Sequence, residues 1–224
     1  MISSVRVVGT GRAGGAIAAR LRERGLGVTA GRDALADADL VLLAVPDASI
    51  ADVAARVSVG PWVAHVSGAT SLTALDPHER RFSVHPLQTL TAGRGPEQLD
   101  GAWAAVTAET EEAAAVANWL AETLGLRPFP LADADKPLYH AGAAMASNFL
   151  VTLYRAAARL LAETDAPPEA LVPLMLRTIE NGFVLTGPIA RGDWSTVEAH
   201  LNALGERAPD LVPLYRALAE ATRR

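Results

Sequence analysis

Residues Val5-Arg6-Val7-Val8-Gly9-Thr10-Gly11-Arg12-Ala13-Gly14 carry a short β-like run straight into G-x-G-x-x-G. An amphipathic pattern follows from Ala13 to Arg24, with Ile17, Leu21 and several alanines on one apolar side. In a strand–turn–helix context each glycine has its own task. The first permits the tight turn, the second lets the backbone approach a pyrophosphate, and the third lets helix pack on strand. The free N–H groups at the helix start then face the anion. Gly9, Thr10, Gly11, Arg12, Ala13 and Gly14 are therefore the expected phosphate cradle of a dinucleotide.

The same alternation runs outward from this point. Gly27 to Ala30 reads as a second strand, and Asp39 to Val45, nearly all apolar, as a central strand covered on both faces. Asp47 is placed to cap a helix over Ala48 to Val57. Trp62 to Val66, Arg81 to Val84, Ala102 to Thr107 and Leu126 to Phe129 read as strands, with a helix over Glu111 to Leu124. This order predicts an open, mostly parallel sheet. The stretch Gly31 to Ala38 is too short for a full crossover helix. After Leu131 the strands stop, and one long helix is expected from Lys136 or Pro137 to Thr164. Further helices are expected over Pro168–Leu185, Trp194–Leu204 and Pro209–Thr222, with Asp193 as a cap and Gly205 as a stop. The expected domains are residues 1–130, binding the dinucleotide, and 131–224, all helical.

Composition narrows the classes. Among 224 residues there are 20 Lys+Arg and 25 Asp+Glu, a formal net charge of −5, and half are hydrophobic. Disorder is excluded, and the missing basic face argues against nucleic acid. The absence of cysteine removes disulfides, thiolate zinc sites and cysteine nucleophiles. Without a secretory pattern or a membrane-length apolar run, the expectation is a cytoplasmic protein with no membrane partner. No metal is expected, because His65, His78 and His200 lack the i, i+4 pairing of a helical zinc site.

The end of the second strand bears on the cofactor. An NAD enzyme places Asp or Glu there for the ribose 2′-OH, whereas this stretch reads Thr29-Ala30-Gly31-Arg32. Arg32, helped by Arg12, suits a 2′-phosphate, so NADP is expected over NAD. An ordinary solvated charge is the other reading of Arg32, and Asp33 keeps NAD in play.

Polar residues then gather at strand ends. Ala44-Val45-Pro46 closes the apolar strand at the carboxyl edge, where cofactors lie in open sheets. Ser67 follows the next strand, and His85-Pro86-Leu87-Gln88 the one after. At 100° per residue His140, Ala144, Ser147 and Asn148 share a helical face, with Lys136 one turn earlier. A helix–helix contact is the alternative use of that face. His85 or His140 is the expected acid/base, with Lys136 as the alternative donor. Asn148 and Ser67 are expected to orient a carbonyl or imine, with Gln88, Ser147 and Arg191 on the substrate side.

The glycine loop, the Val45-Pro46-Asp47 strand ending, the Ser67 turn, His85-Pro86 and Ser147-Asn148 resemble the prephenate dehydrogenase branch of the 6-phosphogluconate dehydrogenase-like oxidoreductases. Over the whole chain the sequence resembles predicted NADP oxidoreductases that join a Rossmann-like domain to a smaller helical C-terminal domain of unassigned function. Tyr139-His140-Ala141, Ser147 to Leu150 and Thr186 to Asp193 carry that likeness. The resemblance implies that Ser67, His85 and His140 surround nicotinamide and substrate. Ser147-Asn148 stands where a Ser-His is expected, and His-Pro-Leu-Gln replaces His-Pro-Met-Ala/Gly, which leaves the substrate open.

Three activities fit: an NADP oxidoreductase for a small polar carbonyl, imine or alcohol; a nucleotide-binding sensor without turnover; and a deazaflavin-dependent NADP reductase. Apolar faces along the C-terminal helices predict a homodimer through that domain.

Overall fold

The computed structural model describes residues 2–32 and 38–223; Asp33 lies outside them. Seven strands form one sheet in the order β2-β1-β3-β4-β5-β6-β7. They are β1 (Ser4–Val8), β2 (Gly27–Gly31), β3 (Leu40–Leu43), β4 (Trp62–His65), β5 (Arg81–Pro86), β6 (Trp103–Ala108) and β7 (Arg127–Pro130). β1 to β5 run parallel to one another, β6 runs antiparallel to β5, and β7 is parallel to β6. Residues 87–102, which join β5 to β6, hold only a short 3-10 turn, Pro96–Leu99, and no crossover helix. Pro128 and Pro130 are tolerated in β7 because it is an edge strand.

Two apolar layers sandwich the sheet. On one face, α1 (Arg12–Glu23) sets Ile17 and Leu21 against Val5, Val7, Leu40 and Leu42, and α3 (Glu111–Thr123) adds Ala113, Ala117 and Leu120. On the other, α2 (Ile50–Ala54) joins Val8, Val41, Leu43, Leu72 and Leu75. Leu40 to Leu43 are therefore buried on both faces, which explains their unbroken apolar run. Each such side chain contributes about 1.5–3 kcal/mol. Asp47 does not cap α2. The segment opens instead as a 3-10 turn over Asp47–Ser49, and its cap position is Pro46, which makes no side-chain bond.

By compactness the chain divides between Met145 and Ala146. The first unit includes α4 (Lys136–Ala144), although the strands themselves end at Pro130. The helical run expected to Thr164 changes character after α4. Met145–Phe149 is a π-helical turn, and α5 (Leu150–Ala162) follows. Wider π spacing advances each residue by less than 100°, so the single face drawn through Ser147 and Asn148 does not persist.

The second unit holds α5, α6 (Leu171–Glu180), α7 (Pro188–Arg191), α8 (Trp194–Arg207) and α9 (Val212–Thr222). Asp193 caps α8 by accepting from Thr196 N. Gly205 does not stop α8, which runs to Arg207 before Ala208 and Pro209 end it. Arg159 donates to both Asp210 oxygens at 2.6 and 2.9 Å. Val197, Leu204 and Ala208 are buried, whereas α5, α6 and α9 bury no residue.

Candidate cofactor and active site

The glycine loop leaves β1 at the carboxyl edge, and its steric demands divide in two. Gly9 has φ 105°, and a Cβ there would stand 2.3 Å from Ala44 O. A Cβ on Gly14 would stand 2.0 Å from Gly9 O. Those two positions are closed by the protein itself. At Gly11, by contrast, a Cβ would meet nothing within 4 Å. Gly11 caps α1 with no side-chain bond, and the first turn holds no acid. The N–H groups that open any helix are thus left uncovered and uncancelled, which fits a pyrophosphate. Gly9 N donates to Gly31 O at 3.0 Å, tying the loop to the end of β2. Arg12 and Arg32 are exposed on either side of that tie, and Ala44-Val45-Pro46 leads away from β3 at the same edge.

The second cluster is built by β5 and α4. Ser83 and His85 are two residues apart on β5, a rise of about 6.6 Å, and Lys136 and His140 are four apart on α4, about 6.0 Å. The near-equal rises let the two elements meet at two levels. At the lower one Lys136, 1 % exposed, donates from Nζ to Ser83 Oγ at 2.8 Å and Thr70 O at 2.7 Å. Asp133 Oδ1 lies 3.5 Å away. At the upper one the rings of His85 and His140 are 6.1 Å apart, and Tyr139 Oη lies 2.7 Å from His85 Nδ1. A Cβ on Gly68 would sit 2.8 Å from the His85 ring, so only glycine lets the turn after β4 lie there.

Burial, then the nearby His140 and Lys136, depress His85 to about 4, against a smaller opposing pull from Asp47. Burial pushes Tyr139 up to about 12. At neutral pH both are uncharged. In the tautomer that carries the imidazole proton on Nε2, the Tyr139 hydroxyl donates to His85 Nδ1; in the other, Nδ1–H donates to Tyr139 Oη. Burial raises and bonding lowers Asp133. Donation from Ser71 and Leu72 N, with the Lys136 charge, leaves its carboxyl below the usual range. Lys136 is lowered, chiefly by burial.

Beside this pair, His65 is fully buried, accepts from Ser67 N at 3.2 Å, and is depressed to about 3 by burial and by Lys136. His65 and His85 both take up protons more readily when unfolded. Stability should therefore fall as pH drops below the ordinary histidine value of 6.5, by up to about 1.4 kcal/mol per pH unit for each group until the folded group itself titrates. Urea unfolding between pH 7 and 5 checks this; a flat profile would contradict both depressed values.

The remaining expected residues fall in different places. Ser67 is buried, with Oγ accepting from Ala69 N and Thr70 N and donating to Thr70 Oγ1 at 2.9 Å. Its hydroxyl shapes its own turn. Gln88 is exposed and accepts from Thr89 N. Ser147, Asn148 and Arg191 belong to the second unit. Tyr139, Gly68 and Ser83 were not singled out as site residues in the sequence. Tyr139 stands beside His140, and its role shows only once α4 is set against β5. Among the described residues no group of three or more His, Asp or Glu is placed to hold a metal ion, and no helix is long and apolar enough to cross a membrane.

The sheet order and the glycine turn define the nucleotide-fold class, and a Rossmann-like domain model matches residues 17–89. The chain belongs to the family described as a domain of unknown function, DUF2520, whose model matches residues 102–222. No curated protein matches it. Among solved structures it is similar to a Bacteroides fragilis protein provisionally named an NADP oxidoreductase (21 % identity, TM-score 0.83, covering 99 % of this chain and 98 % of that one). It is also similar to protein TM1727 of Thermotoga maritima (26 %, 0.73, 98 % and 100 %). A third is a semialdehyde dehydrogenase NAD-binding protein of Cupriavidus necator, solved with calcium and NAD (19 %, 0.66, 100 % and 99 %).

Proposed function

We propose that this chain is an NADP-dependent oxidoreductase acting on a small polar carbonyl, imine or alcohol. The observation that carries the reading is the Tyr139–His85–His140 cluster at the same carboxyl edge of the sheet as the uncapped glycine turn. The Bacteroides fragilis protein supports the nicotinamide reading through its name, and the Cupriavidus necator one through its bound NAD. The amides of Gly11 to Gly14 would hold the pyrophosphate, and Arg32 with Arg12 a 2′-phosphate. A bound nicotinamide supplies or accepts the hydride. His85, kept neutral by burial, donates a hydrogen bond from Nε2 to the substrate's oxygen or nitrogen while Tyr139 occupies its other nitrogen, and in reduction the proton that balances the hydride comes from solvent by way of His140. His140, exposed on the same helix, exchanges protons with solvent. Lys136, with its ammonium taken up by Thr70, Ser83 and Asp133, positions α4 against β5. Ser147, Asn148 and Arg191, the residues read from the sequence as substrate-facing, lie in the second unit, where the Arg191 guanidinium has the fork geometry that suits a carboxylate. The His85–His140 cluster also supports the likeness to prephenate dehydrogenases.

Turnover across a panel of small carbonyls, imines and alcohols tests this. His85→Ala and His140→Ala should each lower it by about 10²–10⁴-fold, while NADP affinity stays near wild type. Binding without turnover on any substrate would point instead to a sensor.

We further propose a homodimer through the second unit. Leu174, Leu176 and Ile179 on α6, followed by Phe183, Val184 and Leu185, are each about half exposed or more, a large apolar surface for a chain on its own. A second copy presents the same face and covers it without a new partner chemistry. Sedimentation at micromolar protein should give a dimer, shifting to monomer for Leu174→Glu. A wild-type monomer would end this reading.

A further inference from the structure

The sheet holds a cation that the site above does not use. Arg6 lies in mid-β1, opposite Thr29 of β2 and Val41 of β3, and is 3 % exposed. Its Nε and Nη2 have no hydrogen-bond partner, and it makes no ion pair among the described residues. Arg20, also buried, differs in that its Nη2 reaches Pro96 O and Asp100, each at 2.8 Å. The Arg6 guanidinium is directed at the end of β2, since a Cβ on Gly31 would lie 3.3 Å from Nη2. Gly31 is the residue whose carbonyl holds Gly9 N, and Arg32 follows it. A charge with no ion-pair partner among the described residues thus sits under the junction of the glycine turn and the strand end. A buried charge without a partner is costly to keep, and its field is screened far less than that of an exposed one.

We propose that Arg6 is a specificity-determining residue for a phosphate on the adenosine ribose. Acting beneath Gly31 and together with Arg32, it favours a ribose carrying a 2′-phosphate over one carrying a hydroxyl. The inference rests on the reading that the glycine turn holds a dinucleotide. Its effect is one of charge, because a 2′-phosphate brings about −1.5 to −2 at neutral pH and the pyrophosphate is common to both cofactors.

Calorimetric titration of the full chain with NADP+, NAD+, 2′,5′-ADP and 5′-AMP tests it. Wild type should prefer NADP+ by about tenfold or more, and Arg6→Met should erase most of that ratio while NAD+ affinity stays within about threefold. Arg6→Lys, which keeps the charge, should retain the preference. A folded Arg6→Met with the wild-type ratio, or with both affinities reduced alike, would overturn the proposal. So would a wild type preferring NAD+, a result that leaves the glycine-turn reading intact; binding of none of the four would remove that reading first. If Arg6→Met does not fold, salt decides with wild type alone. A 2′,5′-ADP preference that survives added salt is expected of a buried charge, whereas one that vanishes assigns selection to the exposed Arg32.

Discussion

Gly14→Ala should cost the protein its fold and Gly11→Ala only its ligand. The Cβ added at position 14 would lie 2.0 Å from Gly9 O and 2.9 Å from Gly9 C, both backbone atoms. Relief therefore requires the turn or the whole of α1 to move. Because α1 carries Ile17 and Leu21 into the first core, we expect a loss of about 3 kcal/mol or more, at the upper end of overpacking. Position 11 meets nothing, so thermal denaturation of Gly11→Ala should match wild type. The methyl group would instead occupy the space where a pyrophosphate approaches, weakening dinucleotide binding by about tenfold or more. Equal stability losses for the two variants would mean that the turn is built for the protein alone. Unchanged affinity in Gly11→Ala would remove the phosphate cradle from this loop.

Lys136 carries the second large effect. Lys136→Ala leaves Asp133, Ser83 Oγ and Thr70 O without their shared donor and opens a cavity under α4. Asp133 is partly exposed and keeps Ser71 Oγ and Leu72 N as donors, so the loss comes mainly from the unsatisfied buried acceptors and is expected at about 1–3 kcal/mol. Lys136→Met fills the space and should recover part of that loss. Because the Lys136 charge helps depress His65 and His85, the Met variant should raise both values, visible as histidine ring signals titrating at higher pH in NMR spectra. A variant of unchanged stability and unshifted rings would show that Lys136 is an onlooker.

The parts of the molecule that could be read from residues alone are those governed by local rules. Val5 to Gly14 specify a strand, turn and helix through adjacent residues, and the unbroken apolar run at Leu40 to Leu43 announces burial on two faces. Asp193 caps α8 because a cap bond spans only a few residues. What escaped was set by distant contacts. The reversal of β6 depends on how residues 87–102 return to β5. The π turn at Met145–Phe149 breaks a helical periodicity that gives no warning in composition. The same limit applied to the site. His85 could be singled out by type and strand-end position and His140 by type and helical face, but Tyr139, Gly68 and Ser83 acquire meaning only when α4 lies along β5. Lys136 and Ser67 looked available for chemistry, and each spends its polar atoms on holding neighbouring segments in place.

The match between strand rise and helix rise makes β5 and α4 behave like the two scales of a vernier, read at two marks. One extra residue between Lys136 and His140 would swing the upper mark by about 100° around the helix, and one extra in β5 between Ser83 and His85 would turn a mark to the opposite face of the sheet. The stretch around Gly93 bears no mark, so lengthening it should leave the alignment undisturbed. Drift in chain length is thus tolerated in that loop and forbidden over the few residues that keep the gauge.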